Sequence, residues 1–163
     1  MAKACEVLDD FYGDPAVIDA RAGHLLRGEA ESRVVRDPKP DDEVARRLDD
    51  LLARTAAKAP VYRLRAYFAR LPVTRSFAPL LDGCQWAGVL NLTASVGPDF
   101  WFHLLCGDEV DNSAVSLVLP LRRNRLILFD AARLGHAVAA DERVAPGAEC
   151  VVQLLALERC DAQ

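Results

Sequence analysis

From residue 60 onward the chain is a series of short apolar runs, each closed off by turn-forming residues. Val61-Tyr-Arg-Leu-Arg-Ala-Tyr-Phe alternates apolar and basic residues at period two, the pattern of a half-buried strand. After Pro72 and Pro79 come Trp86-Ala-Gly-Val-Leu-Asn-Leu, Phe100-Trp-Phe-His-Leu-Leu and Ala114-Val-Ser-Leu-Val-Leu. Arg125-Leu-Ile-Leu-Phe, His136-Ala-Val-Ala and Glu149-Cys-Val-Val-Gln-Leu-Leu-Ala-Leu complete the series. Gly, Pro, Asp and Asn stand between the runs. Serial short strands with turn signals restrict the body of the chain to a sandwich or a barrel.

Residues 1–58 read differently. Residues 5–12 suggest a short strand running into a turn at Gly13. Asp14 suits an N-cap and Pro15 the first helical position, so a helix is expected from Ala16 to about Leu26. Val17, Ala20 and His24 lie on one stripe with Ile18, Ala22 and Leu25 beside it; His24 is assigned no function. Residues 28–40 are polar with two prolines and read as a loop. Asp41 caps a second helix, with Asp42 and Glu43 in its first turn and Arg54 and Lys58 near its end, as the helix dipole favours. Val44, Leu48, Leu51 and Leu52 recur at helical spacing, while Arg46 and Arg47 lie off that stripe and are expected to be solvated. The expected fold class is therefore mainly β with N-terminal helices (α+β). It forms one domain over residues 1–163, with 1–58 as lead-in and 60–160 as the β core.

Composition narrows the function classes. Of the 163 residues, 52% are apolar and 27% charged, a globular balance with enough chain for a core. The net charge of −4 argues against a nucleic-acid or anionic-membrane partner. No apolar run reaches bilayer-spanning length, and Glu6, Asp9 and Asp10 interrupt any signal-peptide pattern, so the cytoplasm is the expected compartment. The five cysteines (Cys5, Cys84, Cys106, Cys150, Cys160) include no CxxC pair, which disfavours a zinc site. Cys84, Cys106 and Cys150 read as small buried hydrophobes; a catalytic thiol at Cys84 or Cys106 requires a neighbouring histidine.

Three stretches carry a resemblance to a known family. They are Val7-Leu-Asp-Asp-Phe-Tyr-Gly-Asp-Pro, Trp86-Ala-Gly-Val-Leu-Asn-Leu, and Asn124-Arg-Leu-Ile-Leu-Phe-Asp followed by His136. Together they resemble the prolyl-hydroxylase-like branch of the 2-oxoglutarate- and Fe(II)-dependent oxygenases. The resemblance implies a double-stranded β-helix, or jelly roll, and non-heme iron held by two histidines and a carboxylate with open positions. On this resemblance His136 corresponds to the distal iron ligand. The proximal His-x-Asp falls on Leu80-Leu81-Asp82, which keeps the carboxylate as Asp82 and replaces the histidine by leucine. The basic residue that holds 2-oxoglutarate belongs on the last strand, yet residues 149–155 contain no Arg or Lys. Arg143 precedes that run, Arg159 follows it, and Glu149 takes the place of the arginine. Leucine offers no lone pair, and loss of the arginine removes a charge-assisted contact to a dianion. Fe(II) thus remains the implied metal, while 2-oxoglutarate loses its anchor.

The remaining candidate ligand is His103 in Trp101-Phe-His-Leu-Leu. Alternation puts it opposite Phe102 and Leu104; if that face is the barrel interior, His103 can join His136 and Asp82. Otherwise it is a hydrogen-bonded strand histidine. Asp130, Asp108 and Glu109 read as turn acids. Trp86, Phe100, Trp101 and Phe102 are candidate pocket aromatics. Three readings follow. The first is a divergent small-molecule enzyme using His136 with Asp82 or His103. The second is a non-catalytic binding subunit, as a homodimer or beside a partner enzyme. The third is a genuine Fe(II) dioxygenase with a non-standard ligand set.

Overall fold

The computed structural model describes residues 5–28, 33–55, 62–72, 81, 83–93, 100–106, 115–140 and 149–160. In chain order they form β1 (Cys5–Leu8), α1 (Pro15–Gly28), β2 (Val34–Asp37), α2 (Asp42–Thr55) and β3 (Tyr62–Pro72). Then follow β4 (Trp86–Asn91), β5 (Phe100–Cys106), β6 (Val115–Pro120), β7 (Leu126–Asp130), β8 (Leu134–Ala140) and β9 (Glu149–Arg159). Six strands make a major sheet in the order β1-β7-β4-β9-β3-β2, and three make a minor sheet in the order β6-β5-β8. Every named strand pair is antiparallel.

The helices form as their caps predict. Asp14 Oδ1 accepts from the Ala16 amide, and Asp41 Oδ1 from the Glu43 amide. Of the two stripes on α1, the one carrying Ile18 and Ala22 is buried, and it continues through Leu26; Val17 is 61% exposed. On α2, Val44, Leu48, Leu51 and Leu52 are buried as expected. Both stripes pack on one face of the major sheet, against Ala66, Phe68, Trp86, Leu128 and Leu155. Arg47 departs from expectation. It donates to the Phe11 carbonyl, pairs with Glu43 at 2.8 Å and lies over the Phe11 ring. Its head is thus held by a carbonyl, a carboxylate and an aromatic face.

The polar stretch read as a loop contains β2, which pairs with β3 from Val34 against Ala69 to Asp37 against Ala66. Four residues ending in Arg36 and Asp37 are too few and too charged to show period two. Their pairing comes from β3, not from their own pattern. Asp37 is buried and takes an ion pair from Arg21 at 2.5 Å. Because β1 and β2 both belong to the major sheet, the lead-in contributes two of its six strands.

Strand alternation divides the major sheet into a helix side and a side facing the minor sheet. On β7, Leu126 and Leu128 face the helices, while Ile127 and Phe129 face the minor sheet. On β9, Leu155 and Leu157 face the helices, while Cys150, Val152, Leu154 and Ala156 face inward. At Gly88 on β4 a Cβ would stand 3.1 Å from Leu126 Cδ1 and 3.2 Å from Leu155 Cβ, so glycine lets the neighbouring side chains close over it more tightly than a larger residue would. Gln153, also on the helix side, accepts from the buried Tyr12 hydroxyl at 2.6 Å. Tyr12→Phe strands the Gln153 acceptor, and urea denaturation should show a loss of about 1–2 kcal/mol.

Burial pushes the Cys150 thiol up to about 12 and, with help from Glu6, the Cys5 thiol up to about 11. Both lie above the ordinary 9.0. A raised native pKa gives stability that is complete below the unfolded value and is lost as pH climbs toward the native one. The urea midpoint should therefore hold steady up to pH 9 and fall between about pH 9 and 12, with Cys150→Ala flattening part of the fall.

Candidate functional site

His136 stands on β8 opposite Leu104 of β5, so both side chains leave the minor sheet on the same side. It is 7% exposed and lies between the sheets. Its ring centroid is 5.0 Å from that of Phe129 in the major sheet and 6.1 Å from that of Phe102 in the minor sheet. Phe102 and Phe129 are themselves 5.4 Å apart. The imidazole is thus positioned by two aromatic rings, one from each sheet.

The turn after β7 and the segment before β4 are tied together beside it. Gln85 accepts from the Ala131 amide at 3.0 Å through its carbonyl, and its Nε2 donates to Asp130 Oδ1 at 3.2 Å. Asp130 Oδ1 also accepts from the Ala132 amide, which gives this acid the turn-stabilising role expected of it. Leu81 and Cys84 meet across Gly83, whose φ of 78° suits glycine; the Cys84 amide donates to the Leu81 carbonyl. These two segments and His136 line an open cleft of about 530 Å³, to which the end of β9 adds Glu158 and Arg159. The Glu158 carboxylate is ion-paired with Arg65.

The other expected site residues fall elsewhere. His103 pairs with Ala137 and Val118, and its neighbours Phe102 and Leu104 are both buried inward. Alternation therefore turns His103 to the outer side of the minor sheet, away from His136. The two histidines are not brought together, because adjacent register positions on β5 and β8 face opposite ways. Trp101 shares that outer side, and Trp86 belongs to the helix-side core. Of the four candidate aromatics, Phe100 and Phe102 face inward, and Phe102 contacts His136. Asp82, Leu80, Arg143, Asp108, Glu109 and the Cys106 side chain lie outside what is described. Leu81, within the degenerate motif, is buried in the inter-sheet core.

The inward positions of β9 bear on the co-substrate. Cys150, Val152, Leu154 and Ala156 supply no charge to hold a dianion, and Glu149 is exposed and pairs with Arg33 at 3.7 Å. The strand, expected to stop before Arg159, runs through it, and this arginine lines the cleft at the far end of β9, not at the inward positions. These described residues do not fit the usual 2-oxoglutarate anchor. Among the described residues no group of three His, Cys, Asp or Glu is placed to hold a metal ion. No helix among them is long and apolar enough to cross a membrane. Cys84 is a small buried residue of the inter-sheet core, as expected, whereas Gln85 was missed, because no local pattern marks it and its bonds to the turn after β7 bring it to this cleft.

No family model matches the chain, and no curated protein does. Solved structures do. Prolyl-4-hydroxylase from Pseudomonas putida superposes with a TM-score of 0.64 at 17% identity, covering 97% of this chain and 94% of that one. The collagen prolyl hydroxylase of Paramecium Bursaria Chlorella virus-1 gives 0.66 at 13% identity, covering 98% and 91%. HygX from Streptomyces hygroscopicus, with nickel and 2-oxoglutarate bound, gives 0.59 at 14% identity, covering 97% and 83%. The fold of this chain is therefore that of the prolyl hydroxylases and related oxygenases, in agreement with the resemblance read from its sequence.

Proposed function

We propose that this chain is a divergent small-molecule enzyme on an oxygenase fold, working in the cleft beside His136 without the usual 2-oxoglutarate anchor. The observation that carries this reading is the placement of His136, held by Phe102 and Phe129 and lining a cleft of about 530 Å³. That volume lies within the range of small-molecule sites, roughly 300–1,000 Å³. A histidine there can move a proton on a bound substrate. Asp82, the carboxylate that the resemblance carries over, is the acid we assign beside it. His103 serves the strand and takes no part in this site. Were Fe(II) present, His136 and Asp82 would be its protein ligands, and the metal would supply Lewis-acid or redox chemistry.

A second reading has its own observation. Leu117 and Val118 on β6, an edge strand of the minor sheet, are 41% and 42% exposed. An apolar edge of this kind suits a binding subunit, paired with a second copy or with a partner enzyme. Sedimentation at micromolar concentration separates a monomer from such an assembly.

Calorimetric titration tests the main reading. Purified protein loaded with Fe(II) should show no saturable 2-oxoglutarate binding, while fragments that raise the melting temperature should lose that effect in His136→Ala. Stoichiometric iron that His136→Ala abolishes, together with tight 2-oxoglutarate binding, would restore a conventional dioxygenase and sink the proposal.

A further inference from the structure

We propose that the cleft takes an anionic small molecule, whose carboxylate or phosphate is held by Arg63 and Arg65 on the floor that runs from His136 across the major sheet. This inference rests on the reading of the cleft as a small-molecule site and adds the class of ligand. On β3, Ala66 and Phe68 belong to the helix-side core, while Ala69 and Leu71 belong to the inter-sheet core. Period two then turns Arg63 and Arg65 to the inner side. Register carries them to the cleft. Phe129, which holds His136, stands opposite Ala87; Ala87 stands opposite Ala156, and Ala156 opposite Arg65. These four residues form one row across the inner face, on strands about 4.8 Å apart. Two alanines separate the ring from the arginine, and their short side chains keep that floor low. At the next inward position of β3, Arg63 stands opposite Glu158, which lines the cleft with Gln85 and Ala131.

Charge on this floor is unbalanced. Arg36 lies on the same side of β2, opposite Tyr67, so three arginines share the inner face with one acid, Glu158, among the described residues of β2, β3 and the end of β9. Glu158 pairs with Arg65 through Nη2 alone. The Arg65 Nε is buried and has no acceptor among the described residues, a standing cost that a ligand oxygen would remove. Arg63 is exposed and makes no ion pair or hydrogen bond among them. In a chain of net charge −4, a face of this sign draws an anion. Guanidinium donors match carboxylate and phosphate oxygens in the same forked geometry, so either oxyanion fits. The place is the opposite end of β9 from residues 149–155, where the usual 2-oxoglutarate anchor is missing.

Phenyl phosphate is the probe and benzyl alcohol its uncharged counterpart, each titrated calorimetrically at low ionic strength. Phenyl phosphate should bind saturably and about tenfold more tightly than benzyl alcohol, and Arg63→Gln should remove most of that difference. Arg63 is exposed, so this variant should keep its far-ultraviolet dichroism. Arg46→Gln removes an equal charge from α2, on the other side of the sheet, and should leave binding unchanged. A tenfold excess of 2-oxoglutarate should not displace the probe. Absence of saturable binding, equal losses in Arg63→Gln and Arg46→Gln, or displacement by 2-oxoglutarate overturns the proposal. If uncharged fragments stabilise the protein in a His136-dependent way while Arg63→Gln changes nothing, the anion falls and the cleft stands. If phenyl phosphate depends on Arg63 while no fragment depends on His136, the arginine site stands and the reading of His136 falls.

Discussion

Replacing Phe129 by alanine should lower the free energy of unfolding by about 3–5 kcal/mol. Phe129 has no exposed surface and lies on β7 between β1 and β4, opposite Cys5 and Ala87. Its ring meets Phe102 at 5.4 Å and His136 at 5.0 Å, so one deletion opens a cavity and removes a wall of the imidazole site. The sheets cannot close on that cavity, because backbone pairing on both sides holds β7 in place. Urea denaturation gives the stability loss. A parallel assay of fragment binding should show His136 less well held, with weaker ligand-induced stabilisation. Phe129→Leu, which restores most of the volume, should recover more than half of the stability. A loss below about 1 kcal/mol for Phe129→Ala would mean that the inter-sheet core is not packed as described.

The second large effect is expected at Asn124→Ala, with a loss of about 2–4 kcal/mol. Asn124 joins the lead-in to the barrel through both its backbone and its side chain. Its amide donates to the Asn91 carbonyl and its carbonyl accepts from the Phe11 amide. Its Oδ1 accepts from the Tyr12 amide at 2.9 Å, and its Nδ2 donates to the Tyr12 carbonyl at 2.8 Å. Alanine leaves a buried amide and a buried carbonyl unsatisfied. It also replaces asparagine, which tolerates the left-handed region, by a residue that does not, since φ is 59°. Asn124→Gly separates the two costs. Glycine relieves the backbone but not the lost side-chain bonds, so it should be more stable than alanine by about 1 kcal/mol and still well below the native protein. Equal stabilities for the alanine and glycine variants would remove the left-handed contribution.

These residues show how much of the molecule was legible in advance. Asn124 was read as the start of a strand-and-histidine stretch, which it is. Its bonds to Tyr12 were not legible, because they join parts of the chain far apart in sequence. The apolar runs at Trp86–Asn91 and Leu126–Asp130 announced strands, and both strands are wholly buried. Their length and lack of polar alternation are local properties. β2 was missed because an edge strand of four residues takes its structure from β3. Arg47 was expected to be solvated because its position off the apolar stripe is local, whereas the Phe11 carbonyl and ring that it meets come from elsewhere.

The candidate site divides in the same way. The chain's residues alone determined the order of helices and strands apart from β2, the leucines in the proximal motif, the missing arginine near the start of the last strand, and the singular placing of His136. Each follows from residue type and short-range periodicity. Only the tertiary structure decided which side of each strand is inside. Period two says that His103 opposes Phe102, but not which of the two faces the major sheet; the buried Phe102 and Leu104 settle that. It also decided that Cys84, Arg159 and His136 share one cleft. The physical reason is that an antiparallel fold with strand order β1-β7-β4-β9-β3-β2 brings distant strand ends together through pairing, and pairing partners leave no mark in local sequence.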